Sequence, residues 1–367
     1  MDFELSEEQV MLRDTVRDVL TKTYDVETVR TVTDSELGWK RDVWNSLAEI
    51  GILGLSFSEE DGGAGAGPIE VATVLTELGR ALAPEPYLDS VVVPGALISA
   101  AAPGHELLAA LASGETLGAF AHHEKGDRWP VSAVATSFAE GTISGTKTLV
   151  PHGDCADHLV VSARAGDEVG LYLVDATAAG VSRTPYRTHD RRRGAQITFD
   201  GAAAVRLGSG EASPIISDVE IITQISQCAE AIGALERCLE LTTEYLKTRK
   251  QFGVTLSTFQ TLTQRAADLY MWLELARSMS QYAVTALAEG SADATIASRV
   301  KLQVGRSARI IGQESIQMHG GIGMTAEYPV GHYVSRLTAI GHTLGHPDDH
   351  LAALARKVGD WEMVTIA

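Results

Sequence analysis

His342, His346 and His350 recur every four residues, a spacing that places three imidazoles on one helical face, as a metal site would require. Gly345 and Pro347 interrupt that helix, because glycine is flexible and proline removes a backbone donor. The pattern therefore favours a surface or interface histidine cluster over a metal centre. We expect no metal site in this sequence.

A second pattern, Gly321 and Gly323 followed by Ala326, imitates the dinucleotide fingerprint G-x-G-x-x-A. That fingerprint binds a nicotinamide cofactor only between a strand and a helix, whereas here it follows a long helical segment. A nicotinamide site is therefore not expected. The glycines still allow another backbone or a ligand to approach closely, because they carry no side chain.

Two polar clusters lie near the middle of the chain. The arginines 191–193 could contact a phosphate, but a solvated turn with ion pairs to neighbouring carboxylates is the commoner arrangement and the one we expect. His122, His123 and Glu124 combine acid and base types. No partner for proton transfer is identifiable beside them, so we expect a structural role.

The most informative stretch runs from Tyr245 to Gly253, where a helix ends in a basic cluster followed by Gln-Phe-Gly. One interpretation is an interhelical turn whose cations complement a helix C-terminus. The other places the Arg249 guanidinium for bidentate contact with a phosphate, beside the Phe252 ring for a flat base. Considered alone, the segment favours the turn.

The elements that must position these residues fall into three blocks. Apolar residues at helical spacing, after a capping box at Ser6 and Gln9, dominate the first block. From Leu117 to Leu207, short apolar runs alternate with Gly, Asp and Pro turns, which is typical of antiparallel strands. After Pro214, long helical periodicities with short connections predict a bundle. The sequence predicts an α+β fold with domains at 1–115, 116–210 and 211–367.

Composition limits the function. The 367 residues carry 30 Lys+Arg against 48 Asp+Glu, a formal net charge of −18 that argues against nucleic-acid binding. Three cysteines exclude a disulfide framework and are typical of a reducing compartment. The N-terminal segment is acidic, unlike a signal peptide, and the longest apolar run is too short to span a bilayer. We expect a cytoplasmic protein with no membrane partner.

Several motifs, in the order and spacing of one family, resemble the acyl-CoA dehydrogenases. They are Ser58-Glu-Glu-Asp-Gly-Gly63, Ser144-Gly-Thr-Lys147 with Gly153-Asp-Cys-Ala-Asp157, Arg249-Lys-Gln-Phe-Gly253 with Phe259-Gln260, Gln317-Met-His-Gly-Gly-Ile-Gly323, and Glu327-Tyr-Pro-Val330. The resemblance covers essentially the whole chain. It implies an N-terminal helical domain, a central antiparallel β domain and a C-terminal four-helix bundle.

The resemblance also implies FAD, an acyl-CoA substrate and α,β-desaturation of the thioester. In such enzymes one subunit holds the flavin ring, and its neighbour supplies the Arg-Lys-Gln-Phe-Gly and Gln-x-x-Gly-Gly segments. Carried over to this sequence, Arg249 contacts the pyrophosphate and Phe252 packs near the adenosine. The other residues that the resemblance assigns to FAD are Gln251, Gln260, Gln317, Gly320 and Gly321.

Departures from the family pattern concern the chemistry itself. The usual catalytic glutamate falls here on Gly345, and an alternative position on an earlier helix falls on Thr223. Neither residue can act as a carboxylate base. The flavin-holding Trp-Ile-Thr aligns with Leu149-Val150-Pro151, and a Thr- and Ser-rich flavin-binding stretch is replaced over Ala119 to Gly126. We therefore assign no catalytic residue. Asp348, Asp349, Glu220 and Glu230 remain open as a displaced base.

This combination resembles the second subunit of heterotetrameric acyl-CoA dehydrogenases from actinobacteria that act on steroid side-chain CoA thioesters. It implies an α₂β₂ assembly with a homologous catalytic subunit whose FAD site this chain completes. Two alternatives stay open. One is a self-sufficient homotetramer with a displaced carboxylate base, and the other is a flavin-free interaction protein on the same fold.

Overall fold

The computed structural model describes residues 5–131 and 133–360. Its N-terminal block contains α1 (Glu7–Thr23), α2 (Val26–Asp34), α3 (Arg41–Glu49), α4 (Pro68–Ala81), α5 (Val93–Ala101) and α6 (Leu107–Ala112). The expected capping box begins α1, where the Gln9 N–H donates to Ser6 Oγ and the Ser6 N–H donates to Gln9 Oε1. The first four residues of the predicted N-terminal domain and the last seven residues of the predicted C-terminal domain lie outside the described residues.

One sheet of eight strands forms the central block. The strands are β1 (Gly118–Ala121), β2 (Ser137–Ala139), β3 (Thr142–Pro151), β4 (His158–Ala165), β5 (Glu168–Asp175), β6 (Val181–Arg187), β7 (Arg193–Ala203) and β8 (Val205–Leu207). They lie in the order β6-β7-β3-β2-β4-β5-β8, with β1 also against β4. The sheet is antiparallel as expected, except that β1 and β2 pair with β4 in parallel.

The C-terminal block is helical. It contains α7 (Ser213–Thr248), α8 (Gln260–Ala288), α9 (Ala294–His319), α10 (Val330–His342) and α11 (Pro347–Arg356), with a hairpin of β9 (Lys250–Gln251) and β10 (Val254–Thr255) between α7 and α8. Helices α7 to α10 share one apolar core. The secondary structure changes type between α6 and β1 and between β8 and α7, and we propose that the domain boundaries lie in those two gaps.

Three apolar cores hold these blocks together. The N-terminal helices pack on one face of the sheet, so that Leu97 shares a core with Val160 and Leu171. A second core lies within the β domain around Ile143 and Ile197. The third fills the bundle. Packing of the helical blocks against the sheet therefore fixes where β1 and α7 face each other.

Helices α4 and α7 cross with their backbones in direct contact. A Cβ added to Gly79 would overlap the carbonyl oxygen of Glu230, and one added to Gly233 would overlap the carbonyl oxygen of Thr76. The Thr76 hydroxyl also donates to the Ala229 carbonyl at 3.1 Å. The N-terminal block is thus joined to the bundle at a glycine-dependent crossing.

Some further properties hold for residues 5–131 and 133–360. No helix there has the length and apolarity needed to cross a membrane. No group of three or more His, Cys, Asp or Glu side chains there is placed to hold a metal ion. The cysteines Cys155, Cys228 and Cys238 are free thiols.

Candidate cofactor site

The segment after Arg249 is a tight hairpin at one end of the bundle. Phe252 and Gly253 connect β9 to β10 with φ angles of 54° and 83°. Two positive φ angles in a two-residue loop define a type I′ turn, which suits Asn-Gly better than a bulky aromatic residue. The Phe252 side chain is 91% exposed. An aromatic residue that is exposed and held in a strained backbone conformation indicates a contact with a molecule outside this chain.

Arg249 follows the last residue of α7, and its side chain is exposed, as are those of Gln251 and Gln260. Within the described ranges its guanidinium makes no ion pair. A guanidinium offers five N–H donors in a planar fork, a geometry that matches the oxygens of a phosphate group. Arg249 therefore suits an external anion.

The second segment is the end of α9. Gly320 stops the helix with φ 66° and ψ −142°, a conformation that only glycine adopts without strain. Gly321 lies outside the positive-φ region, and a Cβ added to either glycine would meet nothing within 4 Å. Gln317 is exposed on the last turn. The backbone here is open to close approach by another molecule.

An aromatic stack joins the two segments. Tyr245, one turn before Arg249, stacks on His319, which immediately precedes Gly320, with ring centroids 4.6 Å apart. Tyr328 packs against both rings. The structure thus brings all of the expected dinucleotide-binding residues to the same end of the bundle.

The edge of the β domain where a flavin ring is expected is organised differently. The fully buried Lys147 ammonium donates to Glu124 Oε1 at 2.8 Å and Ser162 Oγ at 3.1 Å. Glu124 also accepts backbone N–H bonds from Ala135 and Thr136. Burial favours the neutral acid, but the hydrogen bonds from Lys147 and Thr136 outweigh it and lower the pKa of Glu124 to about 2. These groups are engaged within the fold, as the structural role expected for Glu124 requires.

His122 extends this chain of contacts toward α7. Its Nδ1 lies 2.8 Å from Ser162 Oγ. A serine hydroxyl that accepts from Lys147 can still donate its own proton to Nδ1, and in that arrangement the neutral imidazole carries its proton on Nε2. Nε2 lies 4.0 Å from Glu220 Oε1. Burial lowers the pKa of His122 to about 3 and raises the pKa of Glu220 to about 7.

The pairing of His122 with Glu220 was not expected from the sequence. The signal that could have revealed it is the alternation along β3, where Ile143 and Lys147 are four residues apart and both face inward. A lysine on the buried face of a strand requires buried acceptors, and the structure supplies them from the His122 carbonyl, Glu124 and Ser162.

Two expectations about polar clusters hold only in part: the arginines 191–193 form the expected ion pairs and His342 is exposed, but one residue of each cluster is buried or nearly so. Arg192 lies in the interior, 3.3 Å from Glu230, and not in a solvated turn. Only Arg191 of that cluster keeps a partly exposed partner, Asp34. His350 is completely buried and packs on Trp129 with ring centroids 4.1 Å apart. Both departures have one cause, because the blocks of the chain meet at these positions and exclude water.

Comparisons with known proteins identify the family. The models of the acyl-CoA dehydrogenase N-terminal and C-terminal domains match residues 6–115 and 222–358. The chain is 34% identical to acyl-CoA dehydrogenase IpdE2 of Mycobacterium tuberculosis, over 97% of this chain and 98% of that protein. This chain belongs to the acyl-CoA dehydrogenase family.

Solved structures of other acyl-CoA dehydrogenases share its fold. A variant of the Tcur3481-Tcur3483 steroid ACAD has a TM-score of 0.88 at 30% identity, covering 96% of this chain and 98% of that chain. The ChsE4-ChsE5 complex from Mycobacterium tuberculosis has a TM-score of 0.90 at 26% identity, covering 99% and 100%. The expected order of helical, β and helical blocks is confirmed.

In this acyl-CoA dehydrogenase, both positions onto which the resemblance places a base are constrained by their neighbours. A Cβ at Gly345, where φ is 100°, would lie 2.8 Å from the Trp129 ring. The Thr223 hydroxyl donates to the Val219 carbonyl within its own helix. Neither position holds a carboxylate, and the first has no space for a longer side chain.

Three of the four displaced-base candidates are either bonded to other groups of the chain or exposed to solvent. Glu230 is buried, but the charges of Arg336 and Arg192 outweigh burial and lower its pKa. Asp349 accepts the His346 N–H at the start of α11. The Asp348 side chain is 85% exposed. Of the four, Glu220 alone combines burial with a raised pKa.

The raised pKa of Glu220 makes stability depend on pH. Between the ordinary pKa of 4.5 and the folded value of about 7, the folded chain binds more protons than the unfolded chain, so its stability falls as pH rises. Glu220→Gln removes that dependence and should raise the free energy of unfolding at about pH 8 by about 1–3 kcal/mol, with little change below about pH 4.5. Denaturant unfolding at both pH values measures it. Parallel pH profiles for wild type and Glu220→Gln, with exposed Asp348→Asn as control, would contradict it.

Proposed function

We propose that this chain is a subunit of an FAD-dependent acyl-CoA dehydrogenase and completes the FAD site of a homologous catalytic partner. One contrast supports the proposal: the segments expected to contact the dinucleotide are exposed, while the segments expected to contact the flavin ring depart from the family pattern. FAD, when bound, supplies the hydride acceptor for α,β-desaturation of an acyl-CoA thioester. This chain contributes contacts to the dinucleotide part of FAD.

The residues at the bundle end fit that group. The unpaired Arg249 guanidinium suits a pyrophosphate, and the exposed Phe252 ring suits an adenine face. The open backbone at Gly320 and Gly321 permits close approach. All of these groups face outward, as a site shared with a neighbouring chain requires.

The residues at the β-domain edge do not fit a flavin ring. Leu149 has φ 51° and is 64% exposed, Val150 is buried and Pro151 has no N–H. Each buried flavin polar atom left without a partner costs about 1–3 kcal/mol. This chain therefore depends on another for the ring.

Exposed apolar side chains support a partner. Tyr270, Met271 and Leu275 lie on α8, and Ile322 and Met324 follow the glycines at the bundle end. Exposed large apolar side chains grouped along a helix, as on α8, are typical of protein interfaces. Related chains occur in two-component complexes, one described as a steroid ACAD. We propose an α₂β₂ assembly, with a steroid-derived acyl-CoA as the substrate in the partner's site.

The proposal is tested on the complex purified with its partner. Arg249→Ala should remove most of the bound FAD, because a charge-assisted phosphate contact is lost. Gly321→Ala should do the same, since its Cβ meets nothing within this chain and collides only with a bound molecule. Flavin absorbance per protein measures both.

Two matched variants control that experiment. Arg164→Ala removes an exposed arginine of the β domain, and Gly341→Ala adds a methyl where nothing lies within 4 Å. Both should retain wild-type FAD. Unchanged flavin in Arg249→Ala and Gly321→Ala would favour the flavin-free interaction protein.

A second candidate function rests on Glu220, whose pKa of about 7 suits a general base. In a self-sufficient enzyme, the Glu220 carboxylate would abstract the α-proton of the acyl-CoA. The Nε2–H of His122 would act as a hydrogen-bond donor. The chain purified alone would then carry full FAD, and Glu220→Gln would abolish its activity. Under the leading proposal, the chain alone lacks stoichiometric FAD, and Glu220→Gln leaves the activity of the complex unchanged.

A further inference from the structure

Two adjoining cavities lie where α1 and α2 meet α4, α7 and α10. The larger has a volume of about 460 Å³ and the smaller about 60 Å³. They share a wall formed by Val29, Leu82 and His332. Neither contains a residue of the candidate cofactor site, so the pair is a separate feature of the molecule.

The larger cavity has an apolar interior, to which Leu20, Val26 and Leu241 contribute. The arginines of its lining are already neutralised by ion pairs to neighbouring glutamates, and Asp25 adds one carboxylate. These ion-paired lining residues are Arg17, Arg80 and Arg237. Its volume lies within the range of pockets that hold small organic molecules. It therefore suits the apolar body of a ligand.

The smaller cavity is lined by four arginines and one carboxylate, and three of the arginines already pair with carboxylates of this chain. The arginines are Arg30, Arg191, Arg192 and Arg336. The carboxylate, Asp190, already accepts from Arg336 at 2.7 Å. Arg30 differs from the other three because its buried Nε has no hydrogen-bond partner among the residues that the structure describes. A buried donor without an acceptor is costly, so its position indicates an anion that does not belong to this chain.

We propose that the two cavities form one binding site for a carboxylic acid with an apolar body. The carboxylate contacts Arg30 in the smaller cavity, and the chain or ring system fills the larger one. The smaller cavity adjoins the larger one and is lined by Arg30, so an acid group placed in it lies beside that guanidinium. Such a ligand links the N-terminal helices to the bundle, and its binding does not depend on the proposed FAD site.

Calorimetric titration of the full chain with decanoate, below its micelle concentration, tests the proposal against the uncharged 1-decanol. We expect decanoate to bind at least about tenfold more tightly. Arg30→Gln should remove that preference and leave the decanol affinity unchanged, because Arg30 contacts only the carboxylate. Arg13→Gln, which alters a surface arginine of α1, should leave both affinities unchanged.

A second variant tests the apolar half of the site. Val26→Trp fills the larger cavity from a partly exposed position on α2 and should abolish binding of both ligands. Three results would overturn the proposal: equal affinities for decanoate and decanol, unchanged decanoate binding in Arg30→Gln, or decanoate binding that survives in folded Val26→Trp. Circular dichroism establishes that each variant is folded, and the Arg30 comparison stands without the tryptophan variant.

Discussion

Arg336→Met is expected to lower the free energy of unfolding by about 3–5 kcal/mol, because it leaves buried carboxylates without their cation. Arg336 donates from Nε and Nη2 to Glu230, at 2.8 and 2.7 Å, and from Nη1 to Asp190 at 2.7 Å. Burial alone would lower the pKa of Arg336, but Glu230 and Asp190 raise it above its usual value. Denaturant unfolding of the full chain measures the loss.

The pH dependence of the same variant separates charge from packing. Without Arg336, the carboxyls of Glu230 and Asp190 should bind protons at higher pH, so part of the loss should be recovered in acid. Nearby Asp89 already has its pKa raised to about 6 by burial. Adding Glu230→Gln to Arg336→Met should likewise restore stability, because it removes an unpaired buried charge.

A surface arginine, Arg13, is the control for the loss of stability expected in Arg336→Met. Arg13→Met breaks the pair with Asp14, whose side chain is 56% exposed, and should cost at most about 1 kcal/mol. A loss for Arg336→Met no larger than that of Arg13→Met would show that water reaches Glu230, and would remove the physical basis for excluding Glu230 as a base.

Much of the fold could be predicted because its signals are local. The spacing of Ile221, Cys228 and Leu235 predicts the helix α7, and the apolar runs of β4 and β5 predict strands, although residues 223–235 and 159–163 are buried on every side. The exposed turns around Arg249 and Gly320 could be predicted for a similar reason, since each is a contiguous turn with its own backbone requirements, and their role in binding FAD stays a prediction.

The buried polar groups could not be predicted, because their partners are distant in sequence. Arg336 reaches Asp190 across 146 residues and Glu230 across 106. Arg192 therefore looked like a surface residue, although it lies where three blocks meet. His122 likewise required Ser162 and Glu220 to be brought to it by the sheet and by α7. Charge type alone does not reveal burial when the compensating charges come from other domains.

Gly233→Ala, at the crossing of α4 and α7, is the second substitution with a large expected effect. It should destabilise the protein, whereas replacing a glycine inside a helix by alanine usually stabilises it. Alanine normally stabilises a helix interior by up to about 1 kcal/mol over glycine. Here the new Cβ overlaps the Thr76 carbonyl oxygen, so the helices must separate. Separation would also strain the contact of Arg80 with Glu240, 2.6 Å long, which joins the same two helices.

We expect Gly233→Ala to lower the free energy of unfolding by about 3 kcal/mol or more, since overpacking against rigid backbone cannot be relieved by a rotamer change. Gly341→Ala on α10 is the matched control, because its Cβ meets nothing within 4 Å and should be neutral or stabilising. Urea unfolding of both variants compares them directly. If Gly233→Ala were as stable as Gly341→Ala, the helices could separate without cost, and the crossing would not be what positions α7, and with it Glu220, against the β domain.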